Sequence, residues 1–271
     1  MQIQDYYPKE IPHEIQAMLS LVGNEPNLQS IWALMDLAWF ATRADSRDPQ
    51  CVDNFYAHPV WTFNGVFTET HVDSVHNRDV FSTYIASKNP KRIVDYGGGF
   101  GALARMLAKK LPDASIEIVE PYPSPLALEL TRQYDNITYV DCLTGEYDCV
   151  VALDVLEHVP SPLDLAHTLA SHTHDQGFML LANCFYPVIL CHLPETFYLR
   201  HSFNFLLKKM GIVTNGEVLY GTAYKKAGCL KSSAFIKKWV LLAKMYYEAR
   251  QILSVGKRAI RNSLSFIKSY S

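Results

Sequence analysis

From residue 92 onward the chain alternates strand, helix, strand, helix, and this rhythm restricts the available folds more than any other feature. Residues 92–96, 115–120, 137–141, 147–153 and 177–183 form short, almost continuously apolar runs. Between them, residues 102–111 (closed by Pro112), 126–134 and 162–171 repeat their apolar positions at helical spacing. A strand that is apolar on both sides must be covered on both sides. That requires a largely parallel sheet between helical layers, so the expected class is α/β. Residues 203–210 read as a further helix ended by Gly211, and 217–220 as a late strand.

The flanks follow other patterns. Ile11, Ile15, Met18, Leu19 and Val22, and then Leu28, Ile31, Trp32, Met35 and Trp39, predict helices in a cap region over residues 1–90. Residues 51–78, dense in aromatic, His and Asn side chains, read as a loop-rich lid over a pocket or as an ordinary irregular segment. Residues 231–271 carry nine Lys or Arg against Glu248 alone, a balance of +8 that leaves −10 on the first 230 residues. An acidic body repels phosphate backbones, so bulk nucleic acid is not an expected partner. In the basic tail, Phe235, Trp239, Leu242, Tyr246, Ala249 and Leu253 fall three and four apart, with Lys237, Lys238, Lys244 and Arg250 largely off that stripe. This predicts a cationic amphipathic helix, interrupted at Gly256 before a second short helix over 260–267. Residues 232–269 could thus contact an anionic membrane surface, and a dimer contact or docking on the acidic body are the alternatives.

The expected units are 1–90, 91–230 and 231–271. No apolar run reaches the roughly 18 residues of a spanning helix. The opening Met1-Gln2-Ile3-Gln4-Asp5 does not resemble a signal peptide, which makes the cytoplasm the expected compartment. The six cysteines contain no CxxC pair, and reduced thiols are expected.

Chemistry concentrates at the ends of the strands. Val94-Asp95-Tyr96-Gly97-Gly98-Gly99-Phe100-Gly101 closes the first strand and opens the first helix. Glycines there allow a tight turn and close approach to a ligand beside the positive end of a helix dipole. Gly97-x-Gly99-x-x-Ala102 alone also satisfies a relaxed dinucleotide fingerprint, so a nicotinamide-dependent oxidoreductase remains an alternative at this point. Glu120 ends the second strand, where its carboxylate suits a vicinal ribose diol. The fourth strand runs out into Leu153-Asp154-Val155-Leu156-Glu157-His158-Val159.

Asp95 followed by GxGxG resembles motif I of the class I S-adenosylmethionine-dependent methyltransferases. Residues 153–159 resemble the fourth-strand motif of their small-molecule branch, and the resemblance covers roughly residues 90–221. It implies a Rossmann-like, doubly wound, mainly parallel sheet of about seven strands, here with an N-terminal mostly helical cap and the C-terminal basic amphipathic helical tail. It also implies S-adenosyl-L-methionine as cofactor. Gly97, Gly99 and Gly101 would wrap its methionine part, Asp95 orient the loop or the amino group, Glu120 take the ribose, Asp141 meet the adenine amino group and Asp154 stand beside the transferring methyl. A cofactor-binding module without catalysis is a third reading.

The expected reaction is in-line methyl transfer, most plausibly to oxygen, on a small molecule or a sugar-containing metabolite. A hydroxyl acceptor calls for a base, and His titrates near neutrality. His158 is the first candidate, then His192 and His201. Substrate contacts are expected from His58, Trp61, Asn64, His76 and Arg78 in the cap and from Asn183, Tyr186 and Tyr198 beyond the fifth strand. No metal is assigned, although Asp154, Glu157 and His158, completed by His192, are residue types that could hold a divalent ion.

Overall fold

The computed structural model describes residues 3–7, 10–23, 25–43, 45 and 48–268, with side chains described as far as residue 254. Seven strands form one sheet: β1 (Arg92–Tyr96), β2 (Ser115–Val119), β3 (Ile137–Val140), β4 (Tyr147–Leu153), β5 (Thr173–Ala182), β6 (Ile212–Val218) and β7 (Gly221–Lys226). Their order is β3-β2-β1-β4-β5-β7-β6, and only the pairings of β7 with β5 and β6 are antiparallel. The α/β, Rossmann-like expectation is thereby met. Strand order reverses between β1 and β4, where such sheets open a crevice beyond the carboxyl ends of their strands.

The residue-by-residue alternation of strands divides the core into two layers. Ile93, Ile116, Ile118, Cys149 and Val151 face α5 (Val72–Ala86) and α6 (Ala102–Lys110), where they meet Phe81, Ile85, Leu103 and Leu107. Val94, Val150, Ala152 and Leu181 face the opposite way, toward Leu163, Ala166 and Leu169 of α8 (Pro162–Ser171) and Leu206 and Leu207 of α9 (Phe203–Lys209). Each fully buried aliphatic side chain contributes about 1.5–3 kcal/mol, so these two layers dominate the stability of the body.

A third core belongs to the cap: α1 (His13–Val22), α2 (Leu28–Ala41), α3 (Pro49–Tyr56) and α4 (Val60–Thr70). Ile15, Ile31, Met35, Phe55 and Phe63 pack there with Phe100 of the glycine loop, Leu126 of α7 (Pro125–Thr131) and Ile189 and Cys191 beyond β5. The cap is therefore seated on the loops that line the crevice. Residues 51–78 are helical and not loop-rich. Asp48 accepts from the Gln50 N–H (3.1 Å) with Pro49 opening α3, and Val60, Phe63 and Val66 bury one face of α4. Helix α5, within the first 90 residues, packs on the sheet.

The late strand is likewise displaced. β6 and β7 form a hairpin, and residues 219–220, inside the stretch expected as a strand, make its turn, with Leu219 at φ 52. The tail is one helix, α10 (Lys237–Lys268), which continues through Gly256. Ile236 and Ala243 anchor it in the core beside α8 and α9. The side chains of Lys257, Arg258, Arg261 and Lys268 lie outside the described residues. No described helix is long and apolar enough to cross a membrane.

Candidate active site

The glycine loop is held by the two strands beside it. Gly97 and Gly99 sit at φ 70 and φ 49, in the left-handed region that favours glycine. A Cβ on Gly97 would lie 2.6 Å from Val155 Cγ2, so the loop is pressed against the end of β4. A Cβ on Gly99 would meet nothing nearer than Glu120 Oε2 at 3.9 Å, which leaves that side open to a ligand. Gly101, at φ 70, points the other way. A Cβ there would lie 2.9 Å from Tyr139 Oη and 3.0 Å from Thr131 Cγ2, so this glycine packs α6 onto the sheet.

Four acids stand at or just beyond the carboxyl ends of β1 to β4, in four different environments. The Gly99 N–H donates to Glu120 Oε2 (3.0 Å) and the Tyr122 N–H to Oε1 (3.2 Å), so Glu120 braces the loop from the end of β2. Burial nevertheless raises the Glu120 carboxyl. Asp95 is buried beneath the loop at 4 % exposure, and burial followed by the Glu120 charge lifts it to about 7. Asp141 is exposed at the end of β3. Asp154 takes φ 53 and accepts from the Tyr220 hydroxyl (2.9 Å). Its surface reaches solvent, yet the surrounding protein desolvates the carboxyl and raises it to about 6, against the Tyr220 hydrogen bond, which lowers it. An accessible but desolvated carboxyl is what the floor of a crevice produces.

One short turn beyond Asp154, Glu157, His158 and His192 converge. Their ligand-bearing atoms all lie within 4.8 Å of one another. His158 Nδ1 lies 3.0 Å from the Cys191 carbonyl and His192 Nδ1 lies 2.7 Å from the Tyr186 carbonyl. A carbonyl only accepts, so both Nδ1 atoms carry the proton, and each neutral ring keeps its lone pair on Nε2. The two rings cross edge to face at 4.8 Å. Burial, then the neighbouring His192, pushes His158 down to about 3, and burial lowers His192 against the Tyr186 and Cys184 carbonyls. Glu157 is fully buried. Its Oε1 accepts from the Cys184 N–H (2.7 Å), whereas Oε2 is buried with no hydrogen-bond partner. Burial and then the Asp154 charge raise this carboxyl to about 8.

The cap closes over this cluster with aromatic rings. Tyr56 and Trp61, stacked at 5.3 Å, present their rings to His158 at 6.4 and 6.3 Å, and the Trp61 indole N–H is fixed by the Phe55 carbonyl (3.1 Å). Asn183, at the end of β5, has a buried Oδ1 without a partner.

Other sequence candidates stand elsewhere. His201 is exposed, and burial, Arg250 and Arg200 lower it on the α10 side. His58 accepts from the N–H of Val60 (3.1 Å), the first residue of α4. Asn64 is half-buried on α4, and His76 is exposed on α5. Arg78 donates to the Thr68 carbonyl (2.6 Å) and lines a cavity of about 190 Å³ with Glu69, Arg105 and Lys109 on the outer side of α6. Tyr198 lines another, of about 250 Å³, beneath α10, with the Lys244 ammonium 5.1 Å from its ring. Tyr186 lies under the Arg200 guanidinium, 3.4 Å from the ring centroid. Sequence reasoning missed Tyr220, Tyr56 and Tyr139, whose hydroxyl donates to the Gly99 carbonyl (3.1 Å). The hairpin and the cap bring Tyr220 and Tyr56 to the crevice, and β3 brings Tyr139 to the glycine loop.

Comparison with known proteins agrees with this geometry. Residues 70–205 match the family model described as a methyltransferase domain. The chain is 26 % identical over 121 residues to the ubiquinone biosynthesis O-methyltransferase of Erwinia tasmaniensis, covering 41 % of this chain and 49 % of that protein. It is 31 % identical over 94 residues to the same-named protein of Azotobacter vinelandii, covering 31 % and 39 %. The matches thus span about half the length of these relatives or less. An O-methyltransferase family protein from Burkholderia thailandensis shares the fold, with a TM-score of 0.50 and 11 % identity over 78 % of this chain and 77 % of that one. With half of its length in the domain match, and the glycine loop, the strand order and the β4 turn in place, the chain belongs to the methyltransferase domain family and has the class I methyltransferase fold.

Proposed function

We propose that the protein methylates an oxygen of a small molecule or sugar-containing metabolite, with the acceptor hydroxyl received by the His158–His192 pair. The observation that carries this reading is the pair itself: a half-buried and a buried imidazole 4.8 Å apart, each with Nδ1 tied to a backbone carbonyl and Nε2 left as an acceptor, one turn beyond Asp154. The O-methyltransferase names of the sequence relatives support oxygen as the methylated atom. S-adenosylmethionine supplies the methyl on a sulfonium, so the protein must mainly align the acceptor and keep water out. The residues present fit that cofactor. The open side of Gly99 and the turn at Gly97 accommodate its methionine part, Asp95 its amino group and Glu120 its ribose, with Asp141 toward the adenine and Asp154 at the methyl. Gly101 acts through packing.

In this reading Trp61, with Tyr56, supplies the apolar wall on the acceptor side, and Asn183, whose buried Oδ1 lacks a partner, accepts from an acceptor hydroxyl. A panel of phenolic and sugar acceptors tests the reading. Turnover should fall by on the order of a hundredfold in His192→Ala, the lower end of the range for losing acid–base help, with S-adenosylhomocysteine affinity unchanged. Unchanged turnover in both His158→Ala and His192→Ala would remove the imidazoles from the reaction.

The tail is proposed to rest on an anionic lipid surface. Leu241, Leu242, Met245, Tyr246, Ile252 and Leu253 are each more than half exposed on one side of α10, away from the anchoring Ile236 and Ala243. Basic residues flank that stripe, and each contributes on the order of 1 kcal/mol near an anionic bilayer. Leu242→Glu with Ile252→Glu should abolish sedimentation with phosphatidylserine vesicles and leave binding to neutral vesicles weak throughout. A vesicle-independent dimer lost in the same variant would assign the stripe to self-association instead.

A further inference from the structure

We propose that the cavity on the outer side of α6 is a binding site for a phosphate dianion, free or carried as a monoester on a small molecule. Helical spacing sets its lining. Leu103 and Leu107 of α6 are buried against the sheet, which places Ala102, Arg105, Met106 and Lys109, three and four apart, on the opposite face. There they meet Glu69 of α4 and Arg78 of α5, with Tyr134 beyond α7 as a side wall, around about 190 Å³. Helix α6 stands between this cavity and the sheet, so the site is independent of the proposed methyl transfer.

Three cations line the cavity against one acid. Glu69 is already taken by Arg105, whose Nη2 donates to Oε1 (2.6 Å). Arg105 is itself buried at 7 % exposure, and its Nη1 donates to the Phe100 carbonyl of the glycine loop (2.7 Å). Among the described residues Arg78 and Lys109 have no carboxylate partner, a local charge of +2 on a body whose first 230 residues sum to −10. Arg78 gives one N–H to the Thr68 carbonyl (2.6 Å), but its Nε is buried with no partner. A buried donor without an acceptor is costly, and burial is the leading influence lowering this guanidinium from its ordinary value. An anion seated against Arg78 compensates that charge.

Phosphate suits the arrangement better than a carboxylate. Its charge of about −1.5 to −2 at neutral pH matches the two uncompensated cations, whereas a carboxylate leaves one over. A guanidinium fork and a mobile ammonium are the two donor types that grip phosphoryl oxygens. The Tyr134 ring, 6.0 Å from Lys109 Nζ, together with Val75 and Met106, supplies an apolar wall for the organic part of a monoester.

Calorimetric titration of the full chain with phenyl phosphate and with inorganic phosphate, at constant ionic strength, should show one site per chain, with acetate at least about tenfold weaker. Lys109→Ala and Arg78→Gln each remove a charge-assisted contact and should each weaken phenyl phosphate by about tenfold or more. Lys110→Ala changes the net charge as much as Lys109→Ala does, but it removes an ammonium committed to Asp79 (2.8 Å) and Thr83 (2.6 Å). That variant should bind as the wild type does. Tighter binding of phenyl phosphate than of inorganic phosphate supports a monoester lying on Tyr134, and equal affinities support free phosphate at the same cations. A folded wild-type chain that binds neither, or equal losses in Lys109→Ala and Lys110→Ala, overturns the site. Neither result touches the methyltransferase reading, which S-adenosylhomocysteine binding tests separately.

Discussion

Replacing Asp95 by Asn removes an ionisable group from beneath the glycine loop, and its effect should depend on pH in a definite direction. Folding lifts this carboxyl from 3.8 to about 7, chiefly by burial and then by the Glu120 charge. The folded chain therefore holds the Asp95 proton to higher pH than the unfolded chain does. Stability from this source is complete below about pH 4, falls between pH 4 and 7, and is flat above. At 1.36 kcal/mol per pH unit the whole fall is roughly 4 kcal/mol, of which roughly 2–3 kcal/mol lies between pH 5 and 8. Asn never ionises, so the variant should lack that fall. Urea denaturation of both proteins at pH 5 and 8 measures it, because titrating groups that do not interact with Asp95 cancel in the difference. The variant should be the more stable at pH 8, while its affinity for S-adenosylhomocysteine drops through loss of the charge offered to the amino group. Parallel stability profiles for the two proteins would refute the account of Asp95.

Gly97→Ala should cost on the order of 3 kcal/mol or more, since a left-handed non-glycine residue and an overpacked contact each cost about 1–3 kcal/mol, and Val155 Cγ2 stands 2.6 Å from the new methyl. Thermal melts should show Val155→Ala in the Gly97→Ala background recovering part of that loss, whereas additive effects would mean the two residues are not in contact. Tyr220→Phe deletes the hydrogen bond to Asp154. Cofactor affinity should fall severalfold, about 1 kcal/mol for one such bond, with the fold unchanged by circular dichroism, and an unaltered affinity would detach the hairpin turn from the site.

Strand positions were readable because a parallel sheet covered on both faces leaves an unmistakable apolar run, as in Cys149, Val150 and Val151. The glycine loop was equally readable, since its φ values confine the choice of residue. The hairpin was not, because Thr214, Asn215, Gly216 and Glu217 of β6 are exposed and offer no apolar alternation. Residues 51–78 concealed three helical segments for the opposite reason: aromatic residues on several faces blur the period, and the buried face of α5 includes Ser82. At the site, local motifs identified Asp95, Glu120 and His158. The partnership of His158 with His192 across 34 positions, and that of Asp154 with Tyr220, depend on how β5 and β7 pair. His201, a later candidate for the base, and Tyr198, a candidate substrate contact, lie on the turn after residue 193, which carries them toward α10.

The most direct test is calorimetric titration of S-adenosylhomocysteine into the wild-type chain and into Glu120→Ala. One site per chain, weakened at least about tenfold by loss of the carboxylate that both braces the Gly99 N–H and faces the ribose, is the predicted result. A folded wild-type chain without measurable heat, or a Glu120→Ala chain that binds as tightly as wild type, would contradict it.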